Sequence, residues 1–544
     1  MQDIIKKYAL MNALEYNGKA NIQSVMGKVL SEKPELKKDM VALGKEVSKI
    51  VKEVNSWPLE KQKKELEKFG KIEKEEKVER EGLPPLPNAE IGKVVTRLPP
   101  EPSKYNHIGH ALSFLINYMY AKMYKGKCIL RFEDTNPEKV KKEYVDAMKE
   151  DVLEYLDIKP DKVVFSSNDM PKMYGYAEKI IKDGKAYVCT CTRDRMQELR
   201  HKGIECECRN RSVEENFKMW KGMLAGKFKE EQAVLRLRID MQALNQVMRD
   251  PVIFRVSYAK HFLQKDKYHV WPLYDFQNSV EDELCEITHV LRSAEFGGMR
   301  IELQDYIKDL LGFRKQTIVQ YGRFEVAGAI TQGREIRKLI EEGKIKGWDD
   351  PRLVTLKALR KRGIVKETYY NLAKKLGLNP TSAKIQWHMI AAENRKIIDP
   401  ISQRYFFVGE PIEITLDKLI AKTVKAPLFP RKRKFRKIPV TKKVFVDKID
   451  FTNYRGKEIR LMHFCNIILN DKAKVTGKAL KDIPKIHWVS SKNVKIKVIM
   501  PDANEVEGLA EPDISQVKPN QTVQFERIGF ARCDKKGLYY FAHK

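Results

Sequence analysis

A strand, a loop, a helix and a second strand follow one another early in the chain, and this order restricts the fold more than any other feature of the sequence. Residues 93–96 predict a short buried strand, a helix begins near His110, and residues 128–132 predict the second strand. Such a unit places its two strands parallel in one sheet, so we expect an α/β domain. Ligands of such sheets bind beyond the carboxyl ends of the strands. The loop before the helix and Glu133 both lie there.

The loop that opens this helix carries His107 and His110 around Gly109. A helix N-terminus presents unpaired backbone N–H groups and a positive partial charge, which together favour a phosphate group. Glycine lets a ligand come close to the backbone, and imidazole rings can donate hydrogen bonds to phosphate oxygens. The three residues therefore indicate a nucleotide site. The alternative is a proline-rich turn in which the two histidines only cap the helix.

The chain is strongly basic: its 544 residues include 104 lysines and arginines against 74 aspartates and glutamates, a net charge of +30. An excess of this size favours a polyanionic partner, with nucleic acid as the first candidate. A lysine-rich solvated surface would give the same balance. The sequence has no run of about 18 apolar residues and no signal-peptide core, so we expect a cytoplasmic protein that does not bind membranes.

The first part of the chain is predicted to be helical and highly charged. Apolar residues recur there at helical spacing, namely Met40, Val41, Leu43, Val47, Ile50, Val51 and Val54. Residues 71–81 are nearly all lysine and glutamate, which predicts a solvated helix or a linker. The proline-rich residues 83–87 mark a domain boundary.

The last third of the chain changes in character. Residues 320–400 are again predicted to be helical, whereas segments 443–451 and 492–500 predict strands. In the second of these strands, Val494, Ile496 and Val498 alternate with lysines. Short strands separated by turn residues favour β-barrels or sandwiches in this part of the protein.

Four of the eight cysteines occur as two close pairs, Cys189 with Cys191 and Cys206 with Cys208. Two close thiolate pairs can complete a tetrahedral zinc site, so we predict zinc in a reducing compartment. His201 could replace one of the ligands. The alternative is four reduced cysteines on a hairpin without metal.

A series of short segments occurs in the order typical of one family. The segments are TRLPPEP (96–102), HIGHA (107–111), ILRFEDTNPEK (129–139), RSVEEN (211–216), VMRDPV (247–252), WPLYDF (271–276), EITHVLRSAEF (286–296), GWDDPR (347–352) and KIHWVS (485–490). Through them the chain resembles class I aminoacyl-tRNA synthetases of the glutamyl/glutaminyl group over roughly residues 90–544. Long ordered matches are far more specific than the histidine loop alone.

The resemblance implies a reaction and its cofactors. In this family the carboxylate of an amino acid attacks the α-phosphate of ATP, pyrophosphate leaves, and the acyl group passes to the terminal ribose of a tRNA. Like-charged reactants must be held in line, so positioning and positive charge supply most of the catalysis. His107, Gly109 and His110 are then expected to hold ATP, which binds together with Mg²⁺.

The resemblance also implies a multidomain α/β plus β protein. A Rossmann-like catalytic domain carries an inserted domain that grips the tRNA acceptor end, and C-terminal β-barrel domains bind the anticodon. The expected divisions are a helical N-terminal extension (1–89), the first half of the catalytic domain (90–184), the inserted domain with the zinc site (185–268), the second half of the catalytic domain (269–320), a helical stem-contact region with a mobile loop (321–405) and the β-barrel domains (406–544).

The amino-acid pocket is expected to contain Arg97, Pro99, Glu101, Glu133, Tyr274, Asn278 and Arg292. Glu133 resembles the acid that receives the α-ammonium group, and Tyr274 and Asn278 resemble pocket walls. Glutamyl enzymes have arginine at the position of Arg292, whereas bacterial glutaminyl enzymes typically have an uncharged residue. A guanidinium group matches a carboxylate with two parallel hydrogen bonds. Glutamate is therefore favoured. Which of Arg97 and Arg292 takes its side-chain carboxylate stays open, with Arg292 preferred, and the alternative for each arginine is a structural ion pair.

Class I enzymes carry a second mobile loop, written KMSKS, whose lysine follows the pyrophosphate. Residues 321–338 match it here, but Gln332 falls at the lysine. The positive charge could come from a nearby basic residue: Arg334, Arg337 or Lys338. We expect Arg334 to contact the triphosphate when the loop closes. A second departure precedes the histidines, where relatives usually have a glycine in the loop; here Lys104 either reaches phosphate or faces solvent.

RNA contacts are expected in the C-terminal part of the chain. The basic segment 431–437 includes Arg431, Lys432 and Arg433, and a plain solvated loop is the alternative reading. Arg460 matches a region that reads anticodon bases in glutaminyl relatives. Phosphate contacts should make affinity for tRNA fall steeply with salt.

Taken together, these features predict a glutamate–tRNA ligase of the archaeal/eukaryotic type, expected to be a monomer that acts on tRNA(Glu). Charging of tRNA(Gln) stays open. The nearest rival is a glutaminyl enzyme, which Arg292 disfavours. A rival of another class is a synthetase-like RNA-binding protein that has lost catalysis, and only the altered loop around Arg334 supports it.

Overall fold

The structure is a computed structural model that describes residues 2–69, 82–431 and 433–544. It divides into two compact units, Met1–Glu81 and Gly82–Lys544. The lysine- and glutamate-rich segment 71–81 lies outside the described residues, as does Lys432. Within the described ranges, no helix combines the length and apolar character needed to cross a bilayer.

The first unit is a helical bundle, as predicted. Its helices are Gln2–Glu15, Ile22–Glu32, Met40–Asn55 and Leu59–Glu67, with a 3₁₀ turn at Pro34–Asp39. Leu43, Val47, Ile50, Val51 and Val54 are buried on one face of the third helix, because residues three and four apart share a helix face. Met40 and Val41, at the start of this helix, are exposed instead.

A parallel sheet forms the centre of the second unit. Three strands pair in the order Val95–Leu98, Lys127–Phe132 and Lys162–Phe165, all parallel. On the other side of the first strand lies a second parallel pair, His289–Ser293 with Thr317–Tyr321. The Thr288 N–H group donates to the carbonyl oxygen of Val95 at 3.0 Å and connects the two sets. Both predicted strands are thus confirmed. The first lies two residues later than predicted, and the second begins one residue earlier.

Helices cover this sheet and its connections. They are Ile108–Met123, Lys142–Lys149, which continues as the π-helical turn Glu150–Tyr155, Met170–Lys182, Tyr274–Leu284 and Gly297–Leu311. The helix Ile108–Met123 connects the first two strands and buries Ile108, Leu112 and Leu115 against them. Its first residues therefore stand at the carboxyl end of the sheet.

An antiparallel sheet interrupts the parallel one. Its strands run in the order Ala186–Cys189, Val234–Leu237, Val252–Val256 and Val270–Pro272. The helices Arg193–Lys202 and Val213–Leu224 lie between its first two strands in the chain. This insertion carries the four clustered cysteines and leads directly into the helix Tyr274–Leu284.

The region after the parallel sheet is mainly helical, as predicted. Its helices are Gly333–Glu341, Leu356–Lys361, Lys366–Leu376 and Trp387–Ile398, and a short parallel pair joins Phe324–Val326 with Ala383–Ile385. The helix Leu356–Lys361 begins at Thr355, which forms a β-bridge with His107. The helical region therefore supports the histidine loop directly.

Two larger sheets form the rest of the described chain. One contains, in spatial order, Gln403–Tyr405, Thr522–Phe525, Gly529–Lys535, Leu538–His543, Val494–Ile499, Glu505–Ala510 and Phe407–Val408. The other contains Lys485–Ile486, Glu458–Leu461, Asn466–Ile468, Lys472–Gly477, Pro411–Leu416, Lys443–Asp447 and Val489–Ser490. A separate hairpin pairs Thr423–Pro427 with Phe435–Pro439.

The strand predictions for this region are confirmed in one case and half wrong in the other. Val494–Ile499 is a strand in which Ile496 and Val498 are buried. The predicted strand 443–451 ends at Asp447, because the Asp447 side chain accepts a hydrogen bond from the Ile449 N–H group and starts the helix Lys448–Tyr454. The predicted α/β plus β architecture holds, while the exact domain bounds stay predictions.

The bundle of the first unit predicts a contrast between two apolar residues. Leu10 is fully buried, whereas Val41 is 71% exposed. Leu10→Ala should destabilise the bundle by about 2–5 kcal/mol because it leaves a cavity, and Val41→Ala should change stability by less than about 0.5 kcal/mol. Hydrogen exchange of the amides of Gln2–Glu15 and Met40–Asn55 measures both. Equal protection in the two variants would contradict this packing.

Candidate active site

A cleft of about 720 Å³ lies at the carboxyl end of the parallel strands. It brings together predicted residues from five separate stretches of chain: Arg97, Pro99, Glu101, His107, Gly109, His110, Glu133, Tyr274 and Arg292. Asn278 lies behind this lining, in contact with two of these residues. Arg334 is not among the residues that line the cleft.

The two histidines cap the helix Ile108–Met123 and also face the cleft. The Gly109 N–H group donates to Nδ1 of His107, and the His107 N–H group donates to Nδ1 of His110, both at 3.1 Å. A neutral imidazole that accepts at Nδ1 carries its proton on Nε2. Capping and ligand binding are therefore compatible: each ring uses one nitrogen for the helix and keeps an N–H donor for a ligand.

Both rings are neutral at physiological pH. Burial, with Lys104 and Arg323 adding to it, lowers the pKa of His107 to about 3. Burial and the neighbouring His107 hold the pKa of His110 well below its ordinary value. The ring centroids are 3.9 Å apart, so two charged imidazoles would repel each other strongly. The histidines can thus donate hydrogen bonds to an anion without being ionised.

Gly109 is required by packing rather than by an unusual backbone angle. A Cβ atom at this position would lie 2.9 Å from Cε1 of His107 and 3.0 Å from the carbonyl oxygen of Phe324. Any side chain would therefore displace the His107 ring or the strand Phe324–Val326. Glycine at this position therefore keeps His107 in place. From the sequence alone, the need for glycine was explained only by the close approach of a ligand.

The histidine loop is held from outside the helix. The Ile108 N–H group donates to the Val354 carbonyl oxygen at 3.2 Å, and the Leu356 N–H group donates to the carbonyl oxygen of Asn106 at 2.9 Å. The Asn106 side chain donates to the carboxylate of Asp151 at 3.1 Å. Backbone and side-chain contacts therefore fix the loop before any ligand binds.

The side of the cleft that carries Arg97 and Glu133 is built on a buried charge network. Asp282 accepts hydrogen bonds from Nε of Arg97 at 2.9 Å and from Nη1 of Arg131 at 2.7 Å. Arg131 also donates to Glu133 at 3.0 Å, and the Asn278 amide donates to the same Glu133 oxygen at 2.7 Å. Asn278 in turn accepts from Arg97 at 3.3 Å. The network joins both central strands to the helix Tyr274–Leu284.

Arg292 is held at the end of the strand His289–Ser293 by an amide. Its Nη1 donates to Oε1 of Gln304 at 2.9 Å, and the Gln304 amide nitrogen donates to Asp275 at 3.1 Å. Arg300 donates to the same carboxylate at 2.5 Å. Because Asp275 must accept, it fixes which end of the Gln304 amide faces Arg292. Burial raises the pKa of the adjoining Tyr274 to about 12, so its hydroxyl stays protonated.

Three of these supporting residues were not foreseen from the sequence: Arg131, Asp282 and Gln304. Arg131 interrupts an apolar strand, and an arginine within a buried run is a signal that could have been used. Asp282 and Gln304 lie on amphipathic helices, where a polar residue is ordinary. Asp282 is 185 residues from Arg97 in the sequence, so only the fold reveals the contact.

The second loop meets the histidine loop, but not through the residue we expected. Arg334 is exposed on the helix Gly333–Glu341. Arg337, one turn further on, donates to the carbonyl oxygen of Ser103 at 3.2 Å. The basic residues that line the cleft beside the histidines are Lys104 and Arg323. A contact of Arg334 with triphosphate stays a prediction that requires movement of this helix.

The four predicted cysteines come together in the insertion. Their sulfur atoms all lie within 4.8 Å of one another. The distance from Cys189 to Cys206 is 3.8 Å and that from Cys191 to Cys208 is 4.0 Å. Tetrahedral zinc with Zn–S bonds near 2.3 Å requires sulfur–sulfur distances of about 3.8 Å. His201 is not part of the group that the structure brings together within the described residues.

Some of the predicted RNA-binding residues are exposed, whereas others form hydrogen bonds within the protein. Arg431 and Arg433 are exposed. Arg436, in the same basic segment, is buried and pairs with Glu511 at 2.8 Å and Glu526 at 2.6 Å, so it stabilises the fold. Arg460 donates to Asn466 at 2.8 Å and to the carbonyl oxygen of Lys478 at 3.1 Å. Its guanidinium group thus holds a neighbouring loop.

Comparison with known proteins agrees with this architecture. The family model "tRNA synthetases class I (E and Q), catalytic domain" matches residues 93–400, and two "anti-codon binding domain" models of the same family match residues 402–485 and 485–534. A glutamate–tRNA ligase from Pyrococcus furiosus is 41% identical over 574 aligned residues, covering 100% of both chains. One from Methanocaldococcus jannaschii is 38% identical over 553 aligned residues, covering 98% of both.

Replacing Asp282 by asparagine tests the charge network. Burial alone would raise the pKa of Asp282, but Arg97 and Arg131 lower it overall. The carboxylate therefore stabilises the fold above its unfolded pKa of about 3.9, and this stability is lost as pH falls through the lower folded value. Asp282→Asn leaves two buried guanidinium groups without their shared partner, so we expect a loss of about 3–5 kcal/mol at pH 7.

The measurement is hydrogen exchange of Val95–Leu98 and Lys127–Phe132 across a urea series. Asp309→Asn is the matched control, because that carboxylate is 61% exposed in its pair with Lys315. The difference in the free energy of unfolding between Asp282→Asn and the unsubstituted protein should become smaller below about pH 4. A variant at Asp282 as stable as the control at pH 7 would exclude a structural role for the shared carboxylate.

Proposed function

The chain belongs to the class I tRNA synthetases of the E and Q group, and from that premise we propose that it is a glutamate–tRNA ligase. It activates L-glutamate with ATP and transfers the glutamyl group to tRNA. The observation that carries the proposal is that His107 and His110 line one cleft together with Arg97 and Arg292. Nucleotide-binding donors and carboxylate-binding cations thereby share one site.

Adenylation requires two anions to meet. A carboxylate oxygen of glutamate attacks the α-phosphorus of ATP, the bond to the bridging oxygen breaks, and pyrophosphate leaves with the electron pair. The Nε2–H groups of His107 and His110 donate to phosphate oxygens and stabilise the charge that develops there. Mg²⁺ bound with the triphosphate supplies further positive charge. The fixed histidine loop holds the phosphates in line with the attacking group.

Glutamate, rather than glutamine, fits the opposite side of the cleft. Arg97 and Arg292 provide two guanidinium groups for the two carboxylates of the substrate, and Glu133 accepts the α-ammonium group. Gln304 and Asp275 orient Arg292, which we assign to the side-chain carboxylate. The guanidinium group can donate two parallel hydrogen bonds to a carboxylate, whereas the amide of glutamine offers only one acceptor oxygen. Pro99, Glu101 and Tyr274 complete the lining.

Transfer requires tRNA, and the basic C-terminal sheets supply its binding surface. We assign phosphate contacts to the exposed Arg431 and Arg433, and Lys432 lies between them outside the described residues. Arg460 holds the loop that contains Lys478, and it can contact tRNA only if tRNA displaces this loop from the guanidinium group. The acceptor is tRNA(Glu), and tRNA(Gln) is a second candidate acceptor. Arg334 remains our candidate for contact with the triphosphate after closure of the second loop.

The cysteine cluster fits structural zinc. Cys189, Cys191, Cys206 and Cys208 would hold the ion with four thiolates, which leaves a net charge of −2 on the site. Nη1 of the buried Arg236 lies 3.7 Å from the sulfur of Cys206 and 3.9 Å from that of Cys189, which offsets part of this charge. Zinc would supply cross-linking of the insertion and no step of the reaction. The matching distances support this assignment.

The remaining assignments follow from this function. We retain the divisions 1–89, 90–184, 185–268, 269–320, 321–405 and 406–544, since each change of architecture falls near one of these bounds. The protein acts as a monomer in the cytoplasm, where its substrates ATP, glutamate and tRNA are found. Light scattering coupled to gel filtration tests the monomer, and a dimer mass would reject it.

The function is tested by charging total tRNA with labelled glutamate or glutamine and identifying the acylated species. We expect glutamate on tRNA(Glu), and any glutamate on tRNA(Gln) identifies the second acceptor. Charging with glutamine alone would make the chain a glutaminyl enzyme. Absence of both charging and pyrophosphate exchange would identify a synthetase-like RNA-binding protein that has lost catalysis.

Arg292 predicts the preference for glutamate. Arg292→Gln removes the proposed partner of the side-chain carboxylate, so kcat/KM for glutamate-dependent pyrophosphate exchange should fall on the order of 10²-fold. Arg314→Gln is the matched control, because Arg314 is 60% exposed. Exchange is measured with total tRNA present. If both variants activate glutamate equally well, Arg292 does not contact the substrate.

The zinc assignment predicts metal content. Elemental analysis of protein purified without chelators should give one zinc ion per chain, and Cys206→Ser should lose it because three thiolates bind less tightly. Cys285→Ser, at a buried cysteine outside the cluster, should keep the zinc. Metal-free protein, or equal zinc in both variants, would reject the site.

A further inference from the structure

Lys104 is a basic residue of the cleft to which the adenylation site described above gives no role. It lies three residues before His107 and lines the cleft together with both histidines. In the part of the chain that the structure describes, no carboxylate oxygen lies within 4.0 Å of its ammonium nitrogen, the limit that defines an ion pair. Its charge is thus not neutralised by a close protein partner.

The position of Lys104 is on the nucleotide side of the cleft. Its charge is close enough to lower the pKa of both His107 and His110. Burial lowers the pKa of Lys104, and the charged groups with the largest effect on that pKa include Glu101, Arg323 and Arg337. Lys104 therefore stands beside the histidines, in the cleft that it lines together with them.

Glycine at position 333 makes room for the lysine. A Cβ atom on Gly333 would lie 3.1 Å from Cδ and 3.2 Å from Cβ of Lys104. The stem of the lysine therefore packs directly on the first residue of the helix Gly333–Glu341. Arg337 of that helix donates to Ser103, next to Lys104. These contacts fix the stem of Lys104, a residue that lines the cleft.

Two other basic residues that line the cleft already have carboxylate partners. Arg323 pairs with Glu295 at 2.7 Å, and Arg255 pairs with Glu138 at 3.1 Å. Lys139, which also lines the cleft, is exposed on the loop after the second strand. Lys104 is half-buried, packed in place and free of a close carboxylate, which is what binding of a ligand anion requires.

We propose that Lys104 binds the β- and γ-phosphates of ATP and stabilises the pyrophosphate as it leaves. The inference rests on the proposed adenylation reaction and assigns to it a cation from the histidine loop. When the bond between the α-phosphorus and the bridging oxygen breaks, the electron pair stays on the pyrophosphate. The Lys104 ammonium group neutralises part of that charge and keeps its own proton throughout.

The first test compares the affinities of the full chain for ATP and AMP by isothermal titration. Lys104→Gln should weaken ATP binding roughly 10- to 100-fold, because a charge-assisted hydrogen bond is lost. Binding of AMP should not change, since AMP lacks the phosphates that Lys104 contacts. Lys142→Gln, at an exposed lysine paired with Asp146, is the control. Unchanged ATP affinity, or equal losses for ATP and AMP, would overturn the proposal.

The second test moves the ammonium group from position 104 to position 333, the two residues whose side-chain positions are in contact. Lys104→Gly should slow pyrophosphate exchange on the order of 10²-fold. Lys104→Gly combined with Gly333→Lys places a lysine in the space that the first change empties, and should recover at least tenfold of the loss, about 1.4 kcal/mol. A double variant as slow as Lys104→Gly would overturn the assignment. The slower pyrophosphate exchange would then result from a distorted loop and not from the missing ammonium group.

The two tests separate this inference from the proposed function. If the unsubstituted protein shows no glutamate-dependent exchange with tRNA present, the glutamate–tRNA ligase assignment fails. The comparison of ATP with AMP still decides the role of Lys104 in that case, since it needs no amino acid and no turnover. If exchange proceeds normally in Lys104→Gln, the ligase assignment stands and the role of Lys104 is rejected.

Discussion

Two arginines share one carboxylate beneath the cleft, and the binding site depends on this arrangement. Arg97, Arg131 and Asp282 have side chains that are at most 2% exposed. Unpaired charges in such a place would be prohibitively costly, and their pairing with good geometry offsets that cost. The pairing also ties the first two strands of the parallel sheet to the helix Tyr274–Leu284. The fold and the charge of the pocket are therefore set by the same contacts.

The two sides of the cleft offer different donors. Arg97 and Arg292 stand on the side that we assign to glutamate, whereas neutral imidazoles, with Lys104 and Arg323 beside them, stand on the side that we assign to ATP. The helix cap explains how the neutral imidazoles can still donate hydrogen bonds to a ligand. Nδ1 of His107 and Nδ1 of His110 each accept from a backbone N–H group, so the proton of each ring lies on Nε2. Burial then suppresses ionisation at any physiological pH. Preorganised donors of this kind need no rearrangement during the reaction.

The sequence was sufficient to place residues whose position in the fold follows from local order. The histidine loop, Glu133, Arg97 and Arg292 stand at strand ends or a helix start, and the parallel sheet brings those points together. The cysteine pairs were also readable, because close spacing in the chain limits how far apart the thiols can lie. Family motifs supplied the order of the domains.

Residues that act through distant contacts could not be foreseen. Asp282 and Gln304 look like ordinary polar positions of amphipathic helices, and only tertiary packing makes them partners of arginines. Arg436 shows the reverse: a residue in a basic, surface-like run is buried between Glu511 and Glu526. The second half of the predicted strand 443–451 was wrong because Asp447 caps a helix, and this local hydrogen bond outweighed β propensity in the residues after it.

A crystal structure with a non-hydrolysable analogue of glutamyl-adenylate tests the central claim most directly. The account predicts the analogue's side-chain carboxylate at Arg292, its ammonium group at Glu133 and its phosphate-mimicking group within hydrogen-bond distance of Nε2 of His107 or His110. An analogue bound outside this cleft, or one whose side chain points away from both Arg97 and Arg292, would contradict it.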